Sequence, residues 1–281
     1  MISMNDILKH IEYLPVFNRT AQKALQLLAE DVDHNKEIAE VIKYDPGLTA
    51  NVLKLANSSY FAHAKEIKDL KGAINYLGRD KMTQILTLST ASQYFNAQTK
   101  GYEVSQGELW KHSISAGIIA EHLSYLEPNI NKATIFTAGI LHDIGKTILS
   151  IWVKDLWADI LTLTEYQGLD FIEAEKRVLG YTHALVGGAI LQRWLFPEEV
   201  ILAARNHHEQ KVHPNPIVRI IRLADYFSMT LGFMSQKDNL LYKGYDDLMV
   251  YYKISTSDLE SIFSNCFNII QSVLDDFTKL N

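Results

Sequence analysis

Seven side chains in this 281-residue sequence combine metal-binding residue types in an ordered series: His112, the adjacent pair His142-Asp143, His183, the adjacent pair His207-His208, and Asp225. Imidazole nitrogen mixed with carboxylate oxygen is a donor set that suits Fe, Mn, Zn or Ni. Seven donors exceed the needs of a single tetrahedral ion, since a structural Zn normally takes four ligands. They suit two divalent ions, with Asp143 as the bridging carboxylate. Metal pairs about 3.5–4 Å apart activate water and clamp phosphates. Glu108 stands four residues before His112, on the same helix face, and is a further candidate ligand. Neighbouring residues of a helix point about 100° apart, so His207 and His208 are expected to diverge and serve two centres.

Each of these residues also has an ordinary reading. His142-Asp143 is compatible with a helix-end His and a capping Asp, and His183 follows the candidate N-cap Thr182. His207 and His208 lie near a helix C-terminus, where the dipole favours cationic His. Asp225 is harder to explain so simply, because it interrupts an apolar helix and is costly there unless paired. His10, His34, His63, His122 and His213 match no pattern and read as surface or packed residues. Trp110, Trp152, Trp157 and Trp194 read as core.

The elements that must position these groups read as helices. Leu48, Val52, Leu55 and Ala56 recur at helical period after Pro46, which suits a first helical turn. Leu70 to Leu77 forms a short helix stopped by Gly78, and another runs from Asp80 to Tyr94. A long helix from Gln106 to Leu126 ends before Pro128, and an apolar one, Ala133 to Leu141, leads into His142-Asp143. Asp170 with Glu173 and Ser257 with Glu260 are two candidate capping boxes. Thr182 opens a helix through Val186 and Ile190, and Pro197-Glu198-Glu199 opens the one that carries His207 and His208. Alternation at period two is absent, and the fold class is all-α. The polar stretch Asn96 to Gly107 is the candidate boundary between two lobes.

Composition sets limits on function. With 47% hydrophobic and 21% charged residues the chain has the means for a packed core, which excludes intrinsic disorder. The net charge of −6 gives no electrostatic footprint for nucleic acid. The segments Asn35 to Tyr44 and Pro46 to Asn57 mimic a helix-turn-helix, but their charges balance, so nucleic acid is not an expected partner. One cysteine, Cys266, cannot form an internal disulfide, and no apolar run approaches the ~18 residues that span a bilayer. The N-terminal MISMNDILKHIEYLP lacks the apolar core of a signal peptide. A soluble, cytoplasmic protein with no membrane association is expected.

The ligand order resembles that of the HD-domain metal-dependent phosphohydrolase superfamily, and AGILHDIGK (Ala138 to Lys146) is similar to its HD-x-G-K signature. YDPGLTANVLKLANSSYF (Tyr44 to Phe61), AINYLG (Ala73 to Gly78), LWKHS (Leu109 to Ser113) and LGYTHALVGGAILQRWLFP (Leu179 to Pro197) resemble the HDOD family, HD-related output domains of bacterial signalling proteins. The resemblance covers roughly residues 10 to 230. It implies an HD-like helical bundle preceded by an N-terminal helical lobe. The expected division is 1–100 for that lobe, 101–235 for the metal-binding core and 236–281 for a C-terminal extension.

HDOD domains commonly lack part of the HD ligand set and act as non-enzymatic modules, whereas this sequence keeps every position of the set. In this it is similar to the HD-GYP phosphodiesterases of cyclic di-GMP, where a Glu at the position of Glu108 can help bind a third metal. The text after the paired histidines is HHEQKVHPNP, without the Gly-Tyr-Pro of that family. The leading expectation is therefore a signalling module with a dinuclear His/Asp site of Fe or Mn, with Zn or Ni also compatible. One alternative is a phosphohydrolase of a phosphate ester or cyclic nucleotide, with Asp143 and Lys146 as catalytic residues and Lys146 meeting substrate phosphate. Another is a di-iron redox or gas sensor. No segment within the chain reads as a sensor, so a separate signalling partner is expected.

Overall fold

Apolar residues at helical spacing become helices throughout the described part of the computed structural model, which covers residues 17–30, 32, 34–61, 66–95, 101–102, 105, 107–233 and 245–278. No strand occurs among these described residues. The chain divides into two compact units, Pro15–Ser92 with Asn268–Asn281, and Gln93–Phe267 with Met1–Leu14. Most of the polar stretch expected to separate two lobes lies outside the described residues, as do the N-terminal segment, His10 and His63.

The smaller unit holds α1 (Arg19–Ala29), α2 (Asn35–Lys43), α3 (Pro46–Ala56) and the greater part of α4 (Leu70–Phe95). Leu48, Val52, Leu55 and Ala56 are the buried face of α3, as their spacing predicts. Two helix starts interlock here. The Asn18 side chain accepts the Ala21 N–H, the Asp45 Oδ1 accepts the Leu48 N–H at 2.9 Å, and Asn18 Nδ2 donates to Asp45 Oδ2 at 2.7 Å. The Leu48 N–H first, and then the Asn18 amide, hold the Asp45 carboxyl below the usual carboxylate range. Within α4, Gly78 at φ 72° breaks the helical path where the sequence expects a stop. Arg79, just past the break, donates to the carbonyl of Leu28 in the last turn of α1 and to that of Val32 beyond its end.

The larger unit holds α5 (Glu108–Leu123), α6 (Lys132–Leu141), α7 (Ile144–Leu161), α8 (Phe171–Leu179), α9 (His183–Arg193), α10 (Glu198–Asn206), α11 (Pro216–Thr230), α12 (Asp246–Tyr251) and the start of α13 (Thr256–Thr278). Its caps largely match the sequence reading. Thr182 caps α9 through the Leu185 N–H, and Asp170 caps α8 through the Ile172 N–H. The capping box expected at Ser257 and Glu260 forms two residues earlier instead. Ser255 and Asp258 exchange backbone and side-chain bonds, because that register satisfies both free N–H groups at the true helix start. Trp110, Trp157 and Trp194 are buried as expected, whereas Trp152 is only half-buried.

Two glycine contacts bring the helices close enough to share a site. Helix α5 packs on α6 and α11, while α9 packs on α7 and α10. A Cβ at Gly139 would sit 2.7 Å from the Gly117 Cα, so the α5–α6 crossing depends on two small residues facing each other. A Cβ at Gly145 would sit 1.9 Å from the His183 carbonyl oxygen and 2.7 Å from the Gly187 nitrogen. Backbone therefore meets backbone where α7 begins against α9, and no larger residue fits without separating them.

Two outcomes follow from these contacts. Gly145→Ala should lower stability by roughly 1–3 kcal/mol or more, seen as a lower denaturant midpoint, while Gly47→Ala, whose Cβ meets nothing nearer than 3.6 Å, should not. Equal midpoints for Gly145→Ala and the wild type would contradict the backbone contact. Asp45→Ala should cost about 0.5–2 kcal/mol at neutral pH. Because folding depresses the Asp45 pKa, its contribution is complete above the unfolded value of about 3.9 and disappears as pH falls through the lower folded value. The gap between variant and wild type should shrink as pH falls below the unfolded carboxylate value of about 3.9; a gap that does not change with pH would rule out the charged cap.

Candidate metal centre

Helix ends, more than helix middles, deliver the seven side chains singled out in the sequence. His142 is the C-cap of α6, Asp143 the N-cap of α7, His183 the first residue of α9 and His207 the C-cap of α10. His208 follows the α10 end, and only His112 and Asp225 lie within helices, α5 and α11. The four residues His112, His142, His183 and His207 have no solvent exposure, and Asp143, Asp225 and His208 are almost as buried.

The donor atoms fall into two groups. Asp143, His183, His207 and His208 form one, and His112, His142 and Asp225 the other, with the atoms of each group within 4.8 Å of one another. Asp143 faces both. Its Oδ1 lies 3.3 Å from His183 Nε2 and 3.6 Å from His207 Nε2. Its Oδ2 lies 3.6 Å from the Nε2 of both His112 and His142. Asp225 Oδ1 approaches the same two nitrogens at 3.2 and 3.6 Å. Donor atoms each about 2.1 Å from one ion lie about 3.0–3.4 Å apart at tetrahedral or octahedral angles, close to this spacing.

Each of four imidazoles has its other nitrogen anchored. His142 Nδ1–H donates to the Gly139 carbonyl at 2.7 Å, and His207 Nδ1–H to the Ala204 carbonyl at 2.8 Å. His183 Nδ1–H donates at 2.9 Å to Glu175 Oε2, which also accepts the His183 backbone N–H. Tyr102 Oη donates to the other Glu175 oxygen at 2.5 Å. His112 Nδ1 lies 2.9 Å from Ser228 Oγ, which contacts Ser115 Oγ, itself bonded to the His112 carbonyl. These anchors fix the tautomers and turn the Nε2 lone pairs inward.

Apart from the Lys146 ammonium beside Asp143 Oδ2, most inward atoms then face acceptors rather than donors. His112 Nε2 and His142 Nε2 face each other at 3.2 Å, and His183 Nε2 and His208 Nε2 at 2.9 Å. His207 Nε2, both oxygens of Asp143 and Asp225 Oδ2 are buried without a well-formed hydrogen bond. Buried polar atoms are normally satisfied, and converging lone pairs repel unless a cation lies among them. The residues present therefore fit a divalent metal.

Electrostatics favour ligation at Asp143, Asp225, His112, His207 and His208. At His142 and His183 burial opposes the proton but the nearby carboxylates outweigh it, so a metal must displace a proton there. Burial would raise the carboxyls of Asp143 and Asp225, but Lys146 and His142 hold Asp143, and His112 and His142 hold Asp225, well below the usual range. Burial pushes His112 and His208 down and His207 to about 4, so these imidazoles are neutral ligands near neutral pH. Burial opposes the charged form of His183 as well, yet the Glu175 carboxylate outweighs it and lifts the group to about 9.

Three sequence expectations need adjustment. His207 and His208 do not diverge to separate centres. The chain leaves the helix at His207, and their rings lie 3.9 Å apart, with both in the Asp143–His183 group. Glu108 belongs to neither group; it sits in the first turn of α5 and accepts the Ser105 N–H. Lys146, expected to meet substrate phosphate, is instead buried with its Nζ 2.8 Å from Asp143 Oδ2. The sequence reading also passed over Glu175, Tyr102 and Ser228. Glu175 was findable, as an acid midway between Phe171 and Leu179 on an apolar helix face, and Ser228 lies one turn beyond Asp225. Nothing near Tyr102 marks its role.

Comparison with known proteins places this architecture. The chain is 25% identical over 244 residues to an uncharacterized protein of Treponema pallidum (strain Nichols), matching 83% of this chain but 44% of that protein. It thus spans under half the length of that relative. An HDOD domain protein of Geobacter sulfurreducens superposes with a TM-score of 0.72 at 21% identity, covering 97% of this chain and 94% of that one. A candidate phosphohydrolase of Shewanella amazonensis superposes with a TM-score of 0.73 at 20% identity, over 98% of both chains. These two likenesses show the fold. The HDOD domain family model matches residues 14–210, most of the length, so the chain belongs to the HDOD domain family.

Proposed function

We propose that this chain is an HDOD signal-transduction module built around a dinuclear centre of two divalent cations. The observation that carries it is the placement of Asp143, whose two oxygens face separate groups of imidazoles and lack well-formed hydrogen bonds. Asp143 Oδ1, His183, His207 and His208 would hold one ion; Asp143 Oδ2, His112, His142 and Asp225 would hold the other. The N/O donor set favours Fe or Mn, with Zn or Ni also compatible. Its signalling partner is a separate protein, and the module works in the cytoplasm. Among the described residues no helix is long and apolar enough to cross a membrane.

A specific feature supports a second reading, hydrolysis of a phosphate ester or cyclic nucleotide. Two bridged cations supply Lewis acidity toward a phosphoryl oxygen and acidify a water. Asp143 would hold both cations in register, and the Lys146 ammonium, one turn away, could stabilise phosphoryl charge. The signalling reading is preferred because the donor side chains are almost fully buried and Lys146 is turned onto Asp143.

Elemental analysis of fully loaded protein should find two metal ions per chain. His112→Ala and His183→Ala should each retain one, Asp143→Ala should lose most of both, and Glu108→Ala should keep two. One ion in the wild type, or an unchanged count in Asp143→Ala, would refute the bridged centre. Phosphate release from a panel of nucleotides and cyclic dinucleotides should stay well under the usual enzyme range of about 1–10³ per second. Turnover within that range by the loaded wild type, abolished in Asp143→Ala, would instead establish the hydrolase.

A further inference from the structure

The two metal positions are not equivalent. On the Oδ1 side of Asp143, the donors are His183, His207 and His208, and Glu175 with Tyr102 locks His183 in place. On the Oδ2 side, the donors are His112, His142 and Asp225, but the oxygen already faces a cation. Lys146 Nζ lies 2.8 Å from Oδ2, in a side chain only 3% exposed. The Lys146 backbone N–H bonds to the Asp143 carbonyl at 3.0 Å, so the helix start tethers the ammonium one turn from the carboxylate.

We propose that Lys146 is a stand-in cation for the second metal position, so that the centre fills in a fixed order and its doubly loaded form reports metal supply. This inference rests on the dinuclear reading above. Charge decides the order. With the imidazoles neutral as ligands, the charges that the described residues set around the donors are the carboxylates Asp143, Asp225 and Glu175 and the ammonium of Lys146. Together they leave a deficit that a single divalent ion cancels. The first ion enters the Oδ1 position, where no ammonium contacts the carboxylate oxygen. A second ion must meet an ammonium at Oδ2 or displace it, and like charges a few ångströms apart in a buried site interact strongly. The flexible lysine stem makes displacement possible, whereas a fixed guanidinium fork would hold more rigidly. At low metal supply the centre therefore holds one ion and an ammonium; at high supply it holds two ions with Lys146 released.

Titration of the metal-free full chain with Mn²⁺, followed by electron paramagnetic resonance and chelator competition, separates the possibilities. In the wild type the first equivalent should give the hyperfine-split signal of isolated Mn²⁺. The spin-coupled signal of a pair should appear only at free Mn²⁺ roughly tenfold higher or more. In Lys146→Met the two steps should merge, with the coupled signal present from the first equivalent. Steps as far apart in Lys146→Met as in the wild type would overturn the proposal. So would a coupled signal from the first equivalent in the wild type, an outcome that needs no variant to fold. A wild type that never takes a second Mn²⁺ would overturn the dinuclear reading itself, and this inference with it.

Discussion

A buried carboxylate with two inward-facing oxygens and no good hydrogen bond to either is the constraint on which the larger unit depends. Asp143 is ionised despite full burial, and such a charge is tolerated only where opposite charge compensates it. Lys146 supplies part of that compensation, and the imidazoles of His112, His207 and His208, held neutral by burial, offer lone pairs rather than protons. The arrangement is self-consistent once divalent cations are counted among its parts. Without them, neighbouring lone pairs at 2.9 and 3.2 Å would be a source of repulsion in the middle of the core.

The fold meets this demand by gathering helix termini. Side chains at helix ends lie beside the chain's entry and exit paths, so three caps, one first helical residue and one following residue can converge. Convergence needs short distances between backbones. Gly145 against the His183 carbonyl sets α7 on α9, and Gly139 against Gly117 sets α6 on α5. The glycine of the HD-x-G-K signature is thus a spacer that carries Asp143 to His183, and its lysine lands on the same carboxylate one turn later.

An outer layer of partners makes the two groups chemically different. His142 and His207 rely on neutral carbonyls, His112 on a serine, and His183 on a carboxylate that is itself held by Tyr102. A carboxylate behind an imidazole makes it a stronger donor than a carbonyl does. The ammonium of Lys146 acts in the opposite sense on the other group. A nearly symmetric list of donor residues therefore yields two chemically unequal groups.

The all-α class, most helix caps and the seven His and Asp side chains that cluster in the larger unit were legible in the sequence because their signals are local. Periodicity of Leu48, Val52 and Leu55, the Thr182 cap, the Gly78 stop and the His-Asp spacing each depend on residues a few positions apart. Neighbouring chain registers were less secure, as Ser255 and Asp258 show by taking the cap expected two residues later, since both registers offer similar side chains. What only the tertiary structure decided is where directions change. His207 and His208 turn toward one group because the helix ends just before them, and Glu108 stays apart because its carboxylate folds back onto the Ser105 N–H. Glu175 and Tyr102 meet from 73 residues apart, a pairing set by packing alone. Residue type and spacing determined which atoms could bind a metal; backbone approach at two glycines determined which of them face each other, because orientation is fixed by long-range contacts that no local pattern contains.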